Sequence, residues 1–451
     1  MANLNTTTTN RDIQQTIKIV SSTGANNDIT DAVNILNIHE DIFNPVVTGS
    51  MQIADGSGSS ISLDLHGNEY VYISFQRPDQ GQLKYERTFR IYKISDRKPN
   101  LKNQSQFFTV WFCSEELVFS NQLNISKTLK DVSATQHVYN ILTQTLRANK
   151  KRVNAAENFE TSSGIFRHVL TNYKPFEAIN YLAAYSFNAN ESPFLFFENR
   201  YGYNFISLET LLKRPVLNTL NYGSVKYAKE VNDSTATTSN EVIDFNFEQV
   251  FNILDNTRKA TYAGKLKTLD LIRQKYRTID YTVVNSFAKN ILIDGSFPLN
   301  DAQNRNEKPL YAETDSEINY WLTNLGQTNY SYFAERSVKV QDSNIETVLL
   351  QRKTQLNLLK NTLVECTVSG NPLYAAGFLV NFNLPAFTKN LSNERVLDSF
   401  YKGKYLITAV RHNLTKSGGL QTQLTLCKNS VATGFPRADN TSSVYKTVRD
   451  F

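Results

Sequence analysis

The sequence predicts an α+β protein dominated by β-strands. Apolar and polar residues alternate with a period of two over much of both ends of the chain, as half-buried strands require. The 451 residues include 27 Phe and 23 Tyr, and aromatic and β-branched residues favour strands. Patterns with the helical period are confined to the stretch between these two ends.

Residues 11–125 are predicted to form the first all-β unit. Apolar residues alternate with polar neighbours over 47–53 and again over 71–75. The run at 107–112, FFTVWF, is apolar on both faces, as expected of a strand between two layers. No segment with the helical period interrupts these strands, so we expect a small barrel or sandwich.

A mixed α+β domain is predicted for residues 126–240. Ser133 can cap a helix whose apolar residues recur every three to four positions. Pro175 suits the first position of a second helix, and an apolar hairpin follows at 194–208. The polar segment 232–240, NDSTATTSN, is predicted to be a linker to the next unit.

The remainder of the chain is predicted to return to strands after an interruption. A helical turn is expected at 251–256 and a strand at 263–271. Thr314 and Glu317 form a capping box, which predicts a short helix ending near Gly326. A longer helix is predicted to begin at Ser343. The alternation then predicts four strands, at 363–369, 378–384, 404–414 and 420–428.

The composition limits the classes to which the protein can belong. The net charge of +6 is spread along the chain, so direct recognition of DNA is not predicted. The one dense basic run, Arg147–Arg152, ends a predicted helix, where cations complement the helix dipole. Three isolated cysteines, at 113, 366 and 427, are typical of core residues in a reducing compartment. No secretory signal or membrane-spanning run is found.

Motifs that would indicate catalysis are missing from the sequence. There is no GxSxG motif and no glycine-rich loop with a phosphate-binding ending. Glu115 and Glu116 are adjacent and would point to opposite faces of a strand, which does not suit an acid–base pair. We therefore expect no enzymatic activity, no cofactor and no metal site. HxH or HExxH spacing is found at none of the five histidines, which are His39, His66, His137, His168 and His412.

Several segments carry a more specific signal. The closing hairpin at 405–430 places a Gly-Gly loop between two alternating strands. An acidic-Asn-Arg-x-Gly turn at 198–202 separates two apolar strands. In their residue patterns and in their order along the chain, these segments resemble the baseplate hub proteins of contractile-tailed bacteriophages. The resemblance covers residues 11–430 apart from 277–342, and it is carried by the segments 39–75, 173–186, 194–212, 251–276 and 405–430.

The resemblance implies two similar small antiparallel β-barrels, which would be tube domains. The first would be formed by 11–125, and the second by 241–276 together with 361–430. Residues 126–240 would be peripheral, and 277–360 would be an insertion with helices. No hydrolase activity on peptidoglycan is expected of such a protein.

The resemblance also implies partners and a location. A homotrimer would form a ring with pseudo-sixfold symmetry that joins the tail tube proteins to a central spike protein. Other baseplate proteins, those of the wedges, would surround it. The ring would belong to the tail baseplate of the virion after assembly in the bacterial cytoplasm. It would contact no membrane and read no nucleic-acid sequence, although DNA could pass through its lumen.

A different class of function is also compatible with the residues. The aromatic side chains that can build cores can also stack on sugars. The alternative is therefore a monomeric, β-rich carbohydrate-binding or adhesin module at the tail periphery. Exposed Tyr or Trp residues in a shallow groove would favour this alternative, whereas a ring with a wide lumen would favour the hub.

Both termini are predicted to lie outside the barrels. Residues 1–10 are polar and are expected to form an N-terminal arm. Residues 431–451 contain Gly434 and Pro436, which break regular structure, followed by four apolar residues that could contact another subunit or the spike. The alternative is a frayed terminus without a role. The predicted contact residues of this C-terminal assembly arm are Val444, Tyr445, Val448 and Phe451.

Overall fold

Strands dominate the structure, a computed structural model. It describes residues 13–21, 24, 26–56, 65–77, 84–100, 105–153, 158–222, 241–270, 274–283, 292–295, 318–323, 345–389, 395–416 and 419–433. The predicted dominance of β structure is confirmed. Over these ranges, no helix has both the length and the apolar character needed to cross a membrane.

An antiparallel sheet forms the N-terminal β unit. Its strands are β1 (Gln14–Val20), β2 (Asn26–Asp28), β3 (Val33–Asp41), β4 (Thr48–Asp55), β5 (Tyr70–Gln76), β6 (Lys84–Asn100) and β7 (Ser105–Cys113). They lie in the order β3-β4-β7-β6-β5-β1-β2. In β5 the predicted alternation places Val71, Ile73 and Phe75 inward, each at most 1 % exposed. Removing such apolar side chains from water stabilises the sheet.

The prediction of uninterrupted strands through residue 125 is wrong at its end. Helix α1 (Glu115–Gln122) follows β7 directly. Its buried residues are Glu116 and Ser120, which lie four positions apart on one helix face. Because this buried face is polar, no apolar stripe marks the helix. The Ser120 hydroxyl accepts a hydrogen bond from Phe176 N (3.1 Å), which fixes α1 against the next domain.

Residues 126–222 contain the two helices and the hairpin that the sequence predicts. Ser133 caps the first helix by accepting a hydrogen bond from Gln136 N (3.3 Å), and Pro175 is the first residue of another. A π-helical turn, Ile141–Thr145, extends the first helix. The elements are β8 (Ile125–Val132), α2 (Ala134–Asn140), β9 (Phe166–Tyr173), α3 (Pro175–Tyr185), β10 (Phe194–Asn199), β11 (Gly202–Ser207) and α4 (Leu208–Lys213).

The C-terminal half supplies the remaining described elements. In chain order they are β12 (Val216–Tyr222), β13 (Glu241–Gln249), α5 (Ile253–Arg258), β14 (Ala263–Asp270), β15 (Lys275–Thr282), β16 (Ile318–Thr323), α6 (Ile345–Leu359), β17 (Thr362–Ser369), β18 (Leu379–Asn383), β19 (Pro385–Lys389), β20 (Arg395–Leu397), β21 (Gly403–Thr415) and β22 (Gly419–Lys428). The four strands predicted after residue 362 are β17, β18, β21 and β22.

Six of these strands close into a barrel. Their order is β18-β12-β13-β17-β22-β21, and β18 pairs with β21 to complete the circle. β12 runs parallel to both of its neighbours, whereas the other pairs are antiparallel. The interior is filled by large apolar side chains, including Val364, Val368, Phe382, Tyr405, Ile407 and Leu426.

Strand β21 belongs to both β units. Its first half pairs with β18, whereas its second half, from Ala409 onward, pairs with β3 of the N-terminal unit. The register with β22 shifts between Ile407 and Ala409, which indicates a bulge at Thr408. A bulge bends a strand and increases its twist, and here it lies where β21 leaves the barrel. One continuous sheet of 13 strands results.

Two sequence-based expectations differ from the structure, one for the insertion 277–360 and one for the segment 241–276 of the predicted second barrel. Residues 318–323 form strand β16 and not the helix predicted from the capping box. β16 runs parallel to β14, which thereby joins a separate three-stranded sheet with β15 and is not a barrel strand. The segment INYWLT alternates with a period of two as well as fitting a helix, and pairing with β14 satisfies its backbone as a strand. The longer predicted helix is present as α6.

Candidate functional site

A polar groove of about 590 Å³ crosses the sheet where the two β units join. Its walls come from β13, β17, β22, β21 and β3, which are consecutive in the sheet order. The side chains facing it include Asp41, Asp244, Glu365, Arg411 and Gln423. Alternate residues of these strands point into the core, and the polar residues between them line the groove.

Groups in the groove are held by their own neighbours. Burial raises the pKa of Asp41, although the Phe43 N–H (2.8 Å from Asp41 Oδ1) and the Lys360 charge act in the opposite sense. Burial and the adjacent charge of Arg411 lower the pKa of His39. Arg411 itself donates to Asn37 Oδ1 at 3.0 Å and to Gln423 Oε1 at 3.3 Å. Such a surface can bind a partner through hydrogen bonds and charge.

Three exposed apolar residues lie on segments that are linked at Lys360, and we call them the apolar patch: Phe43, Phe251 and Leu254. Their side chains are 43 %, 59 % and 85 % exposed. The Lys360 ammonium lies 4.7 Å from the Phe43 ring centroid, and Gln249 Nε2 donates to the Lys360 carbonyl at 3.0 Å. Exposed aromatic and aliphatic side chains beside a polar surface are typical of protein–protein contacts.

A buried ion network joins the N-terminal β unit to the α+β domain. Glu198, at the end of β10, receives hydrogen bonds from Arg87 of β6 and from Arg152 Nη1, the latter at 2.8 Å. Its second oxygen accepts from Val47 N at 3.0 Å. Arg152 also contacts Glu116 of α1. Four segments distant in the sequence therefore meet at one carboxylate.

The charges in this network compensate one another. Burial alone would raise the pKa of Glu198, but the guanidinium groups of Arg87 and Arg152 outweigh it and lower that pKa below the ordinary value. The pKa of Arg87 is raised, because the carboxylate of Glu198 more than offsets the cost of burial. Glu116 Oε2 accepts from Tyr203 OH at 3.1 Å, which completes the network.

These contacts overturn two sequence-based interpretations. Arg152 does not merely complement a helix dipole, because its half-buried guanidinium group forms ion pairs with two carboxylates. Glu115 and Glu116 lie on a helix and not on a strand. The argument against an acid–base pair assumed a strand and therefore does not apply to these two residues. Glu116 forms an ion pair with Arg152.

The structure shows a contact for each motif residue of the acidic-Asn-Arg-x-Gly turn at 198–202. Glu198 is the centre of the ion network, and Asn199 Nδ2 donates to the Ala376 carbonyl at 3.0 Å. The Arg200 guanidinium carbon lies 5.8 Å from the Tyr85 ring centroid. Gly202 has φ +128°, and a Cβ there would approach Arg152 O to 2.2 Å. A charged residue within an apolar strand was the signal that could have revealed the network.

The structure leaves the predicted assembly arm untested. Val444, Tyr445, Val448 and Phe451 lie outside the described residues, as do the N-terminal arm and the linker 232–240. In the described part of the chain, no group of three or more His, Cys, Asp or Glu side chains could hold a metal ion. The buried thiols are unpaired there, and burial raises their pKa values; the thiols are Cys113, Cys366 and Cys427.

Comparison with known proteins identifies the fold. No known sequence family and no curated protein matches the chain. Among solved structures, the tail protein from Neisseria meningitidis MC58 aligns with a TM-score of 0.50 at 11 % identity. The alignment covers 92 % of this chain and 96 % of that protein. The fold of the chain is therefore that of this tail protein, and the predicted resemblance to tail proteins is confirmed at the level of the fold.

Two further structures resemble the chain more weakly. The 43 kDa tail protein of prophage MuSo2 from Shewanella oneidensis aligns with a TM-score of 0.48 at 10 % identity, covering 92 % of this chain and 98 % of that one. The E. coli c3393 protein, a type VI secretion component, aligns with a TM-score of 0.41 at 8 % identity. That alignment covers 90 % of this chain and 76 % of the E. coli protein.

Proposed function

We propose that the protein is a structural subunit of a phage baseplate hub, which joins the tail tube to a central spike. One observation carries the proposal: the fold of a tail protein extends over 92 % of this chain and 96 % of that protein. The role is one of contact and not of catalysis. The virion baseplate would be its location, and tube, spike and wedge proteins would be its partners.

In the proposed mechanism, the hub ring connects two assemblies of different rotational symmetry, the tail tube and the spike. Three subunits that each contribute two similar β units form a ring that is threefold in composition and close to sixfold in shape. Such a ring can meet a sixfold tube on one side and a threefold spike on the other. The closed barrel would be one unit, and the N-terminal sheet would be the other. Pairing or covering its outer strands in the ring would protect edges that otherwise aggregate.

The apolar patch supports association between subunits. Leu254 is 85 % exposed and Phe251 is 59 % exposed. Removing such side chains from water contributes about 25 cal/mol for each Å² of apolar surface buried. We propose that the patch contacts a second copy of the chain in the ring. An obligate contact of this kind should bury more than about 1,000 Å².

The purified protein is expected to form a homotrimer. Light scattering should give three times the 51.3 kDa mass of the chain, and electron microscopy should show a ring with six similar densities. Leu254→Asp should weaken the trimer, because it places a charge in the apolar contact. Val169→Asp is the matched control, since Val169 is 56 % exposed but lies on β9 of the α+β domain. A monodisperse monomer at micromolar concentration would refute the hub.

The assembly arm remains a prediction with its own test. Deleting residues 436–451 should leave the thermal transition of the isolated subunit unchanged, because six or seven apolar-spaced residues cannot hold a helix alone in water. The same deletion should weaken association with the trimer or the spike. The second variant keeps the full length of the chain and replaces the four apolar residues of the arm by serine; these residues are Val444, Tyr445, Val448 and Phe451. Assembly with unchanged affinity in both variants would show that the arm has no such role.

A further inference from the structure

Strand β13 has an open edge along most of its length. One side of the strand pairs with β17 from Val242 to Gln249. On the other side β12 pairs only with Glu241 and Val242, because β12 ends at Tyr222 while β13 continues. In the described part of the chain, no strand extends this pairing along residues 243–249. This edge, about 20 Å long, therefore presents backbone groups that a further strand can use.

The backbone of the open edge is suited to pairing. Natural sheets usually block an edge with a very short strand, a proline, a bulge or charge. β13 is 9 residues long and contains no proline. Its register with β17 shifts between Val242 and Asp244 and again between Phe247 and Gln249, whereas residues 244–247 pair regularly. The charged side chains of the edge are therefore what restricts the partner.

The inner face of the open edge is apolar. Phe245 and Phe247 pack against the barrel core but are only half-buried. The Phe245 ring centroid lies 4.7 Å from that of Tyr222 and 5.6 Å from that of Phe382. The Phe247 ring contacts Tyr401 at 5.5 Å. Apolar side chains on an added strand would cover the exposed parts of both rings, and such burial contributes about 25 cal/mol for each Å².

The outer face of the same edge is acidic. Asp244, Asn246 and Glu248 are exposed, and Asn246 lies directly opposite Glu365 of β17. Burial raises the pKa of Glu365, and the charge of Glu248, with which it shares a hydrogen bond, raises that pKa further. Two carboxyl groups in contact oppose each other's ionisation, and a cation beside them relieves this repulsion. Basic side chains on an added strand would lie next to these groups.

We propose that the open edge of β13 binds an extended segment of a partner chain, which joins the sheet as a further strand. Apolar residues of this segment pack on Phe245 and Phe247, and the Lys or Arg residues between them face Asp244 and Glu248. Backbone hydrogen bonds supply affinity, and the alternating side chains supply selectivity. β13 of a second copy does not fit, because like charges would face each other. The edge belongs to a single subunit, so the proposal does not rest on the hub ring.

A designed peptide tests the proposal on the full-length protein. The probe alternates lysine and valine over the length of the open edge, with blocked ends and a fluorescent label. Fluorescence anisotropy should show binding, and bound peptide should slow hydrogen exchange within residues 243–249, because outward-facing N–H groups gain acceptors. The control peptide has a methyl group on every backbone nitrogen, which preserves its charge but removes its donors, and it should not bind.

Three results with these peptides would overturn the proposal. The first is no binding of the lysine–valine probe at about 1 mM. The second is equal binding of the probe and the methylated control. The third is slow exchange of every amide of residues 243–249 before the peptide is added, because the edge would then already be covered by the chain itself or by a second copy.

A pair of double variants tests the role of charge. Asp244→Asn combined with Glu248→Gln should raise the dissociation constant of the probe about tenfold, because two cross-strand pairs of opposite charge are lost. Asp131→Asn combined with Asp255→Asn is the matched control, since it changes the net charge equally at side chains that are 65 % and 47 % exposed. It should alter the constant by less than about twofold. Equal effects of the two double variants would contradict the proposed strand addition.

Discussion

Glu198→Gln is expected to lower the free energy of unfolding by about 3–5 kcal/mol, the usual cost of breaking a buried ion pair from one side. The substitution preserves the shape of the side chain but removes the negative charge. The guanidinium of Arg87 would then remain buried without its partner, and Arg152 would keep only Glu116. Because Glu198 also accepts from Val47 N, one of its hydrogen bonds would be weakened as well.

Urea denaturation with a probe in the α+β domain measures this effect. Asp255→Asn is the matched control, since Asp255 and Lys259 form an exposed ion pair at 3.1 Å on helix α5. An exposed pair of this spacing is worth only about 0.3–0.5 kcal/mol. Equal urea midpoints for the two variants would contradict the view that Glu198 holds the domains together.

The second large effect is a pH dependence that arises from Glu40. Burial raises the pKa of Glu40 to about 7 from an ordinary value of 4.5, although the Ala376 N–H and the charges of Arg87 and Arg200 act in the opposite sense. The folded protein then holds a proton that the unfolded chain releases between pH 4.5 and 7. The free energy of unfolding therefore falls as the pH rises through this range, by up to about 3 kcal/mol.

Glu40→Gln should remove this dependence. The variant should match the wild type near pH 4 and exceed it in stability above pH 7, because glutamine carries no charge to bury. Urea unfolding at several pH values measures the difference. Glu86→Gln is the control on the same sheet: the Tyr72 hydroxyl lowers the pKa of the exposed Glu86, so any dependence has the opposite sign. A constant difference between wild type and Glu40→Gln would refute the prediction.

The comparison between variants is needed because His412 opposes Glu40. Burial lowers the pKa of His412 to about 3 from 6.5, helped by the charge of Arg200. The unfolded chain therefore binds a proton below pH 6.5 that the folded protein excludes, and this makes the folded state less stable as the pH falls towards 3. The two slopes have opposite signs between pH 4.5 and 6.5. The difference between wild type and Glu40→Gln cancels the His412 contribution.

Local sequence patterns predicted helices and strands correctly where a segment had a single hydrophobic period or a clear capping residue. Ser133 and Pro175 marked the starts of helices, and the alternation of Val71, Ile73 and Phe75 marked a strand. The same approach failed at Ile318–Thr323, whose residues fit both periods. It also failed at Glu115–Gln122, whose buried face is polar. In such segments the partner decides the conformation, and a partner is not visible in local periodicity.

The sequence by itself determined the dominance of strands, most strand positions after residue 362, and a resemblance to tail proteins that extends to the fold. Those properties depend on side-chain periodicity, turns and caps, which act over a few residues. Tertiary structure alone decided that β21 serves two β units, that β18 and β21 close the barrel, and that Glu198 meets Arg87 and Arg152. These contacts join residues at least 46 positions apart or strands that are not consecutive. Their free energy depends on burial, which exists only once the chain has folded.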